Sequence, residues 1–199
     1  MNAIRKRPPL MTVEAFLDWQ PPDGRMWQLV DGQPRAMAPA SVTHAFIQFE
    51  LGRLIGNHLI DGRVPCRVVG NAGTQPHVNA DQNVRIPDLA VTCDPVPPGT
   101  RLMDRPLLVI EVLSASNRAE TWSNVWTYTS QPSVREIVVI SSLALEAHVL
   151  RRTADGTWPA TPTRLTDGDL TFESIDLTLP MAAIYRDTGL RAPIPTGGA

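Results

Sequence analysis

Leu107–Ser114 reads LLVIEVLS, and Glu111 is its one charged residue. A run that is apolar on both alternations is a strand covered on both faces, in the middle of a sheet. A carboxylate placed there faces a desolvation cost of several kcal/mol unless a cation or a metal meets it. Two further β-branched runs precede it, VPCRVVG at 64–70 and IPDLAVT at 86–92, and the second carries its own acid, Asp88. Pro87 holds the residue before it in extended geometry, which fits a strand start. Two readings of Glu111 stand side by side: a structural ion pair with an arginine, or a metal site shared with Asp88. Two acids on adjacent strands, backed by a strand carbonyl, suit a hard divalent cation, which takes oxygen ligands and keeps several waters.

Working outward, the spacing of Phe46, Phe49, Leu51, Leu54, Ile55 and Leu59 predicts a long helix that stops at Asp61-Gly62. Before it, Thr12 to Leu17 reads as a short helix closed by the PPDG turn at 21–24. MWQLV and PRAMA then form a hairpin around Asp31-Gly32, a pair that tolerates positive φ. After the Glu111 strand, a helix spans about Asn117 to Ser130, with Asn117 and Glu120 in capping-box spacing. EIVVI at 136–140 and ALEAHVLRR at 144–152 are strands, DLTFESIDLTLP at 169–180 gives short strands, and MAAIYRD at 181–187 a last helix. Trp122 and Trp126 at i, i+4 read as core packing. The sum is an α/β domain with a mixed central sheet flanked by helices, an N-terminal hairpin and C-terminal short strands. Residues 1–10 and 191–199 read as flexible tails around a single domain at 11–190.

With 199 residues, one core is the expectation. A net charge of −2 gives no overall electrostatic footprint for nucleic acid. Cys66 and Cys93 lack CxxC spacing and read as buried thiols in a reducing compartment. No histidine spacing points to zinc; His58 suits a helix C-terminus, and His77 and His148 carry less. The N-terminus shows no signal peptide or membrane span, so a soluble cytoplasmic protein is expected.

The runs WQLVDGQPRAMAPASVTHAFIQFELGRLIGNHL, VRIPDLAV, IEVLSASNRAE and YTSQPSVREIVVI, in that order, resemble the Uma2 family (DUF820), a restriction-endonuclease-like branch of the PD-(D/E)xK nuclease superfamily. The resemblance spans Thr12 to about Tyr185. It implies that Asp88 and Glu111 hold Mg²⁺ or Mn²⁺, with the carbonyl of Val112 completing the site, and that DNA is the substrate and a homodimer the assembly. The superfamily's lysine position falls on Leu113. The family's pattern of acid, lysine and tyrosine at i, i+4 and i+8 falls on Glu120, Asn124 and Tyr128, so a neutral amide stands where the lysine would. Arg85 and Arg118 are nearby cations of other positions. Gln28 in WQLVDG replaces the glutamate of the family's YELIDG; a site role and a solvated hairpin face are both open to it. His44 matches a family histidine and either contacts the site or packs at the helix start.

The expected function is a Mg²⁺-dependent endonuclease that hydrolyses phosphodiester bonds with water held by Asp88 and Glu111 through the cation. The alternative is a degenerate nuclease fold that binds nucleic acid or a protein without cutting, favoured by Asn124 and Gln28. A third reading is a structural or regulatory domain in which Glu111 is ion-paired.

Overall fold

The computed structural model describes residues 10–191; residues 1–9 and 192–199, where the tails are expected, lie outside the described residues. In chain order the elements are α1 (Val13–Asp18), β1 (Trp27–Val30), β2 (Gln33–Ala36), α2 (Val42–Asp61), β3 (Arg67–Gly70), β4 (Leu89–Thr92), β5 (Leu108–Leu113), α3 (Arg118–Tyr128), β6 (Glu136–Ser141), β7 (Ala147–Arg151), β8 (Thr163–Leu165), β9 (Asp169–Phe172), β10 (Leu177–Pro180) and α4 (Met181–Ile184). Six strands form one sheet in the order β3-β4-β5-β6-β7-β8. Only β5 and β6 run parallel. Their connection is α3, because parallel neighbours need a crossover long enough to return to the same end of the sheet.

β5 and β6 are buried at every position, as the apolar runs require of central strands. One face of the sheet packs on α2 through Ile47, Leu51, Ile55 and Leu59, joined by the β9-β10 ribbon and α4. The other face packs on α3 through Val125 and Tyr128. The hairpin β1-β2 turns at Asp31 and Gly32, whose φ angles of 47° and 73° are the left-handed pair that Asp-Gly accommodates. It joins the body through the bridge between Leu29 and Val84.

Several expectations are corrected. Phe46 and Phe49 have helical spacing but face outward, at 48% and 73% exposure. The buried stripe of α2 runs instead through His44, Ile47, Glu50, Leu51, Ile55 and Leu59. Two buried polar residues pull this stripe off the one that hydropathy alone picks out. Trp126 is exposed, while Trp122 packs beside the second core cluster. Asn117 makes no capping bond; its side chain accepts from the Ser114 N–H at 2.7 Å, and its amide donates to the Val112 carbonyl at 3.4 Å. The last helix is one turn, Met181–Ile184.

Cys66 and Cys93 are not free thiols: they are joined as a disulfide. Arg67 pairs with Thr92 at the end of the β3-β4 ladder, and the next step of that register sets the two cysteines opposite each other. The bond closes a loop with a sequence separation of 27 and ties the edge strand β3 into the sheet. Reduction is expected to lower stability by about 2–4 kcal/mol through the unfolded chain's regained freedom. Urea unfolding with and without reductant checks this, and a Cys66→Ser/Cys93→Ser double variant should match the reduced midpoint. Among the described residues no helix is long and apolar enough to cross a membrane.

Candidate carboxylate site

The register that pairs Leu89 with Ile110 places Asp88 opposite Glu111 one step further on. Residues directly opposed across antiparallel strands have Cβ atoms about 5 Å apart, and like charges there repel. The two side chains line the same cavity. Both are nearly buried, Asp88 at 7% and Glu111 at 5% exposure.

Each acid is held by neighbours. The Tyr128 hydroxyl donates to Glu111 Oε1 at 2.9 Å, from the far end of α3. The Val112 N–H donates to Asp88 Oδ2 at 2.6 Å, and His44 Nε2 lies 2.9 Å from Asp88 Oδ1. Gln48, one helical turn after His44, donates to the Asp88 carbonyl at 2.8 Å and to Asn71 at 3.1 Å. Beside the acids, Gln28 donates to Glu120 and accepts from Asn124 at 3.4 Å. Gln28 is 1% exposed, so it does not lie on a solvated hairpin face.

Gln28, His44, Asp88, Glu111, Glu120 and Asn124 thus line one cavity of about 320 Å³. Tyr128 supports its floor from behind. Gln48 and Asn71 also line it and escaped the sequence reading, although Gln48 shares a helix face with His44 at i+4. Arg118 is exposed at the first turn of α3 and is not among the cavity residues. Arg85 is 2% exposed, with its Nε unpartnered and one Nη donating to the Leu29 carbonyl at 3.3 Å. Burial lowers its pKa, opposed by the charges of Tyr128, Asp31, Glu120 and Glu111.

Among the described residues no arginine forms an ion pair with Glu111. The contrast with Glu136 is direct. That glutamate, also in a central strand, is 1% exposed and meets Arg151 at 2.9 Å plus the Ser174 N–H and hydroxyl. The fold pairs one buried strand glutamate with a cation and leaves the other facing a second carboxylate.

Burial first, and then the Asp88 charge, push the Glu111 carboxyl well above the ordinary carboxylate range, against the Tyr128 hydroxyl and Asn124 amide, which favour the anion. Burial, followed by the Glu111 charge, likewise raises the Tyr128 phenol. Two carboxylates that, among the described residues, pair with no Lys or Arg could hold a divalent cation, with the Val112 carbonyl on the same strand as Glu111. Among the described residues no group of three or more His, Cys, Asp or Glu side chains is placed to hold a metal ion, so the side-chain share of a cation site here is the two carboxylates.

A linkage follows. The folded protein keeps a proton on Glu111 at pH values where the unfolded chain has lost it. Stability is therefore full below the ordinary carboxylate range and declines as pH rises through the raised value. In chelator, melting temperature should fall as pH rises above the ordinary carboxylate range. Glu111→Gln should flatten that slope. Mn²⁺ at roughly 100 times its Kd should add about 2.7 kcal/mol to the parent protein and little to Glu111→Gln. A Mn²⁺ response equal in the two proteins would remove Glu111 from the donor set.

Comparison with known proteins gives three likenesses. The Uma2 family model, described as "Putative restriction endonuclease", matches residues 13–182. An uncharacterized protein of Synechocystis sp. is 31% identical over 180 residues, covering 89% of this chain and 93% of that protein. A crystal structure from Anabaena variabilis, described as a "putative nuclease belonging to DUF820", superposes with a TM-score of 0.71 at 16% identity. That match covers 88% of this chain and 98% of the other, and it shows a shared fold.

Proposed function

Since the chain belongs to the Uma2 family, whose description is "Putative restriction endonuclease", we propose that Asp88 and Glu111 form the centre of a Mg²⁺- or Mn²⁺-dependent endonuclease acting on DNA. One observation carries the reading: Glu111 is opposed to Asp88 across the strand pair at one cavity, and among the described residues neither has a Lys or Arg partner, whereas Glu136 in the same sheet meets Arg151.

Asp88, Glu111 and the Val112 carbonyl would hold the cation. A divalent cation in such a place polarises a phosphoryl oxygen and makes water nucleophilic near neutral pH. In the overall hydrolysis a water oxygen bonds to phosphorus, one P–O ester bond breaks, and the departing alkoxide gains a proton. The chain's own groups set the geometry. Tyr128 fixes one oxygen of Glu111, leaving the other free to turn to the cavity. His44 and the Val112 N–H fix both oxygens of Asp88. Asn124, tied to Gln28, presents an amide that can orient a water or a phosphate oxygen and adds no positive charge. Burial excludes bulk water and strengthens each of these interactions.

Asn124 and Gln28 also support a second reading, a nuclease fold that binds nucleic acid or a protein and does not cut. Both are neutral amides where the family pattern carries charge, and they satisfy one another. Incubation of the purified protein with plasmid DNA and Mg²⁺ or Mn²⁺, beside Asp88→Ala and Glu111→Ala, separates the two. Cutting that stops with chelator and with either substitution supports the nuclease. Cutting indifferent to both substitutions would sink the mechanism, and binding without cutting favours the second reading.

A further inference from the structure

Glu111 has a counterpart of opposite sign. Among the described residues Arg85 is the one buried arginine, and it makes no ion pair. Its backbone is fixed by the bridge to Thr74, where each residue's N–H donates to the other's carbonyl. The guanidinium donates from one Nη to the Leu29 carbonyl at 3.3 Å, and its Nε is enclosed without an acceptor. Asp31, Glu120 and Glu111 lie near enough to act on its charge, but among the described residues none of them bonds it. A guanidinium taken out of water with donors unused is costly unless an anion meets it.

Arg85 lines a second cavity, of about 300 Å³, together with Arg35, Ser123, Asn124 and Glu120. Arg35 lies opposite Gln28 in the β1-β2 register, so both side chains leave the same face of the hairpin, the one that meets α3. Arg35 is exposed and, among the described residues, unpaired, whereas Arg25 beside the first cavity is taken by Asp23 at 2.6 Å. Ser123 adds a hydroxyl and Asn124 an amide. Glu120 is the one acid in the lining, and it accepts a hydrogen bond from Gln28. Two guanidinium groups against one carboxylate leave this cavity cationic in a chain whose net charge is −2. The planar fork of arginine matches the oxygens of a phosphate.

Position links this cavity to the carboxylates. Glu120 and Asn124 line both cavities, so the two are neighbours across one row of α3 side chains. A chain of phosphates that crosses this row meets the acids on one side and the arginines on the other.

We propose that Arg85 and Arg35 form a phosphate subsite, which takes a backbone phosphate of a polynucleotide while another phosphodiester of the same molecule lies at Asp88 and Glu111. The proposal rests on the reading of those acids as a phosphodiester site and adds the cations that hold the substrate there. The test is fluorescence anisotropy of a labelled DNA duplex in Ca²⁺, an oxygen-seeking cation, over a series of salt concentrations. Arg35→Gln and Arg85→Gln should each weaken binding by about 10-fold and reduce the slope of log affinity against log salt by about 1, which corresponds to one lost phosphate contact. Arg164→Gln, on the edge strand β8, should leave both unchanged. Arg35 is exposed, so its variant tests the subsite even where Arg85→Gln disturbs folding.

A parent protein that binds no duplex overturns the proposal, and so does a slope kept in Arg35→Gln or in a folded Arg85→Gln. An equal loss in Arg164→Gln overturns it too, since the arginines would then act only through overall charge. A rise of melting temperature in inorganic phosphate that Arg35→Gln abolishes, with duplex binding unaltered, would make the ligand a free phosphate and overturn the polynucleotide assignment. A plasmid assay in Mn²⁺ separates failure of the subsite from failure of the nuclease reading. Arginine-dependent binding without any cutting supports the subsite and removes the nuclease. Cutting that needs Asp88 and Glu111 but neither arginine retains the nuclease and overturns the subsite.

Discussion

Glu111→Gln should lower DNA cutting by about 10³-fold or more, and Asp88→Asn should do the same, each with the fold intact; this is the largest effect expected of any single substitution here. The amide is nearly isosteric with the acid, and Tyr128 can still donate to the remaining carbonyl oxygen, so packing around the position is kept. Charge is what disappears. A hard cation held by two anionic oxygens loses one of them, together with most of its affinity near neutral pH. Above the ordinary carboxylate range, folding without a cation requires Glu111 to take up a proton, a cost that an amide does not carry. The Glu111→Gln protein should therefore melt higher than the parent in chelator while cutting nothing. Lost activity joined to gained stability is the signature of a functional carboxylate, and initial rates beside thermal melts measure both. Lost activity with a collapsed melting temperature would assign Glu111 to structure.

Asn124→Lys should raise the cutting rate about 10²-fold, the scale on which a positioned charge acts at a phosphoryl transition state. Asn124 is 6% exposed and stands one turn from Glu120 and one from Tyr128 on the face of α3 that meets β5. A lysine there enters a pocket already lined by Glu111 and Glu120, which compensates the desolvation of its ammonium. Gln28 loses the amide that donates to it but keeps Glu120 as an acceptor. Asn124→Gln is the control: it lengthens the side chain without adding charge and should leave the rate within a few-fold. A lysine variant that binds DNA and Mn²⁺ yet cuts no faster than the parent would show that charge at 124 is not what limits this chain.

Elements with strong periodicity or turn chemistry were legible from the residues alone: the long helix, the Asp-Gly hairpin, the central strands and their one carboxylate. The acids at 88 and 111 could be picked out because a charge in an apolar strand is conspicuous. What the sequence did not disclose depends on register. The Asp88–Glu111 opposition and the Cys66–Cys93 bond are each one step beyond a ladder whose alignment appears only when the strands are paired. The face of α2 was misjudged for a related reason. Phenylalanine at 46 and 49 looks more buried than histidine at 44 or glutamate at 50, but the polar pair is held inside by Asp88 and by Arg53. For Gln28 the sequence leaves a site role and a solvated hairpin face both open, and the packing of β1 against α3, which buries it, is not readable from the residues alone.

The parallel pairing of β5 with β6 has a kinetic meaning as well. Those two strands cannot meet until the chain between them has returned to the same end of the sheet, and α3 makes that return. Glu120, Asn124 and Tyr128 lie on this crossover, so residues proposed to shape the chemistry belong to the segment that must return before the two strands can pair. If the proposed chemistry holds, turnover and refolding speed depend on the same 11-residue helix, and a substitution there can change either.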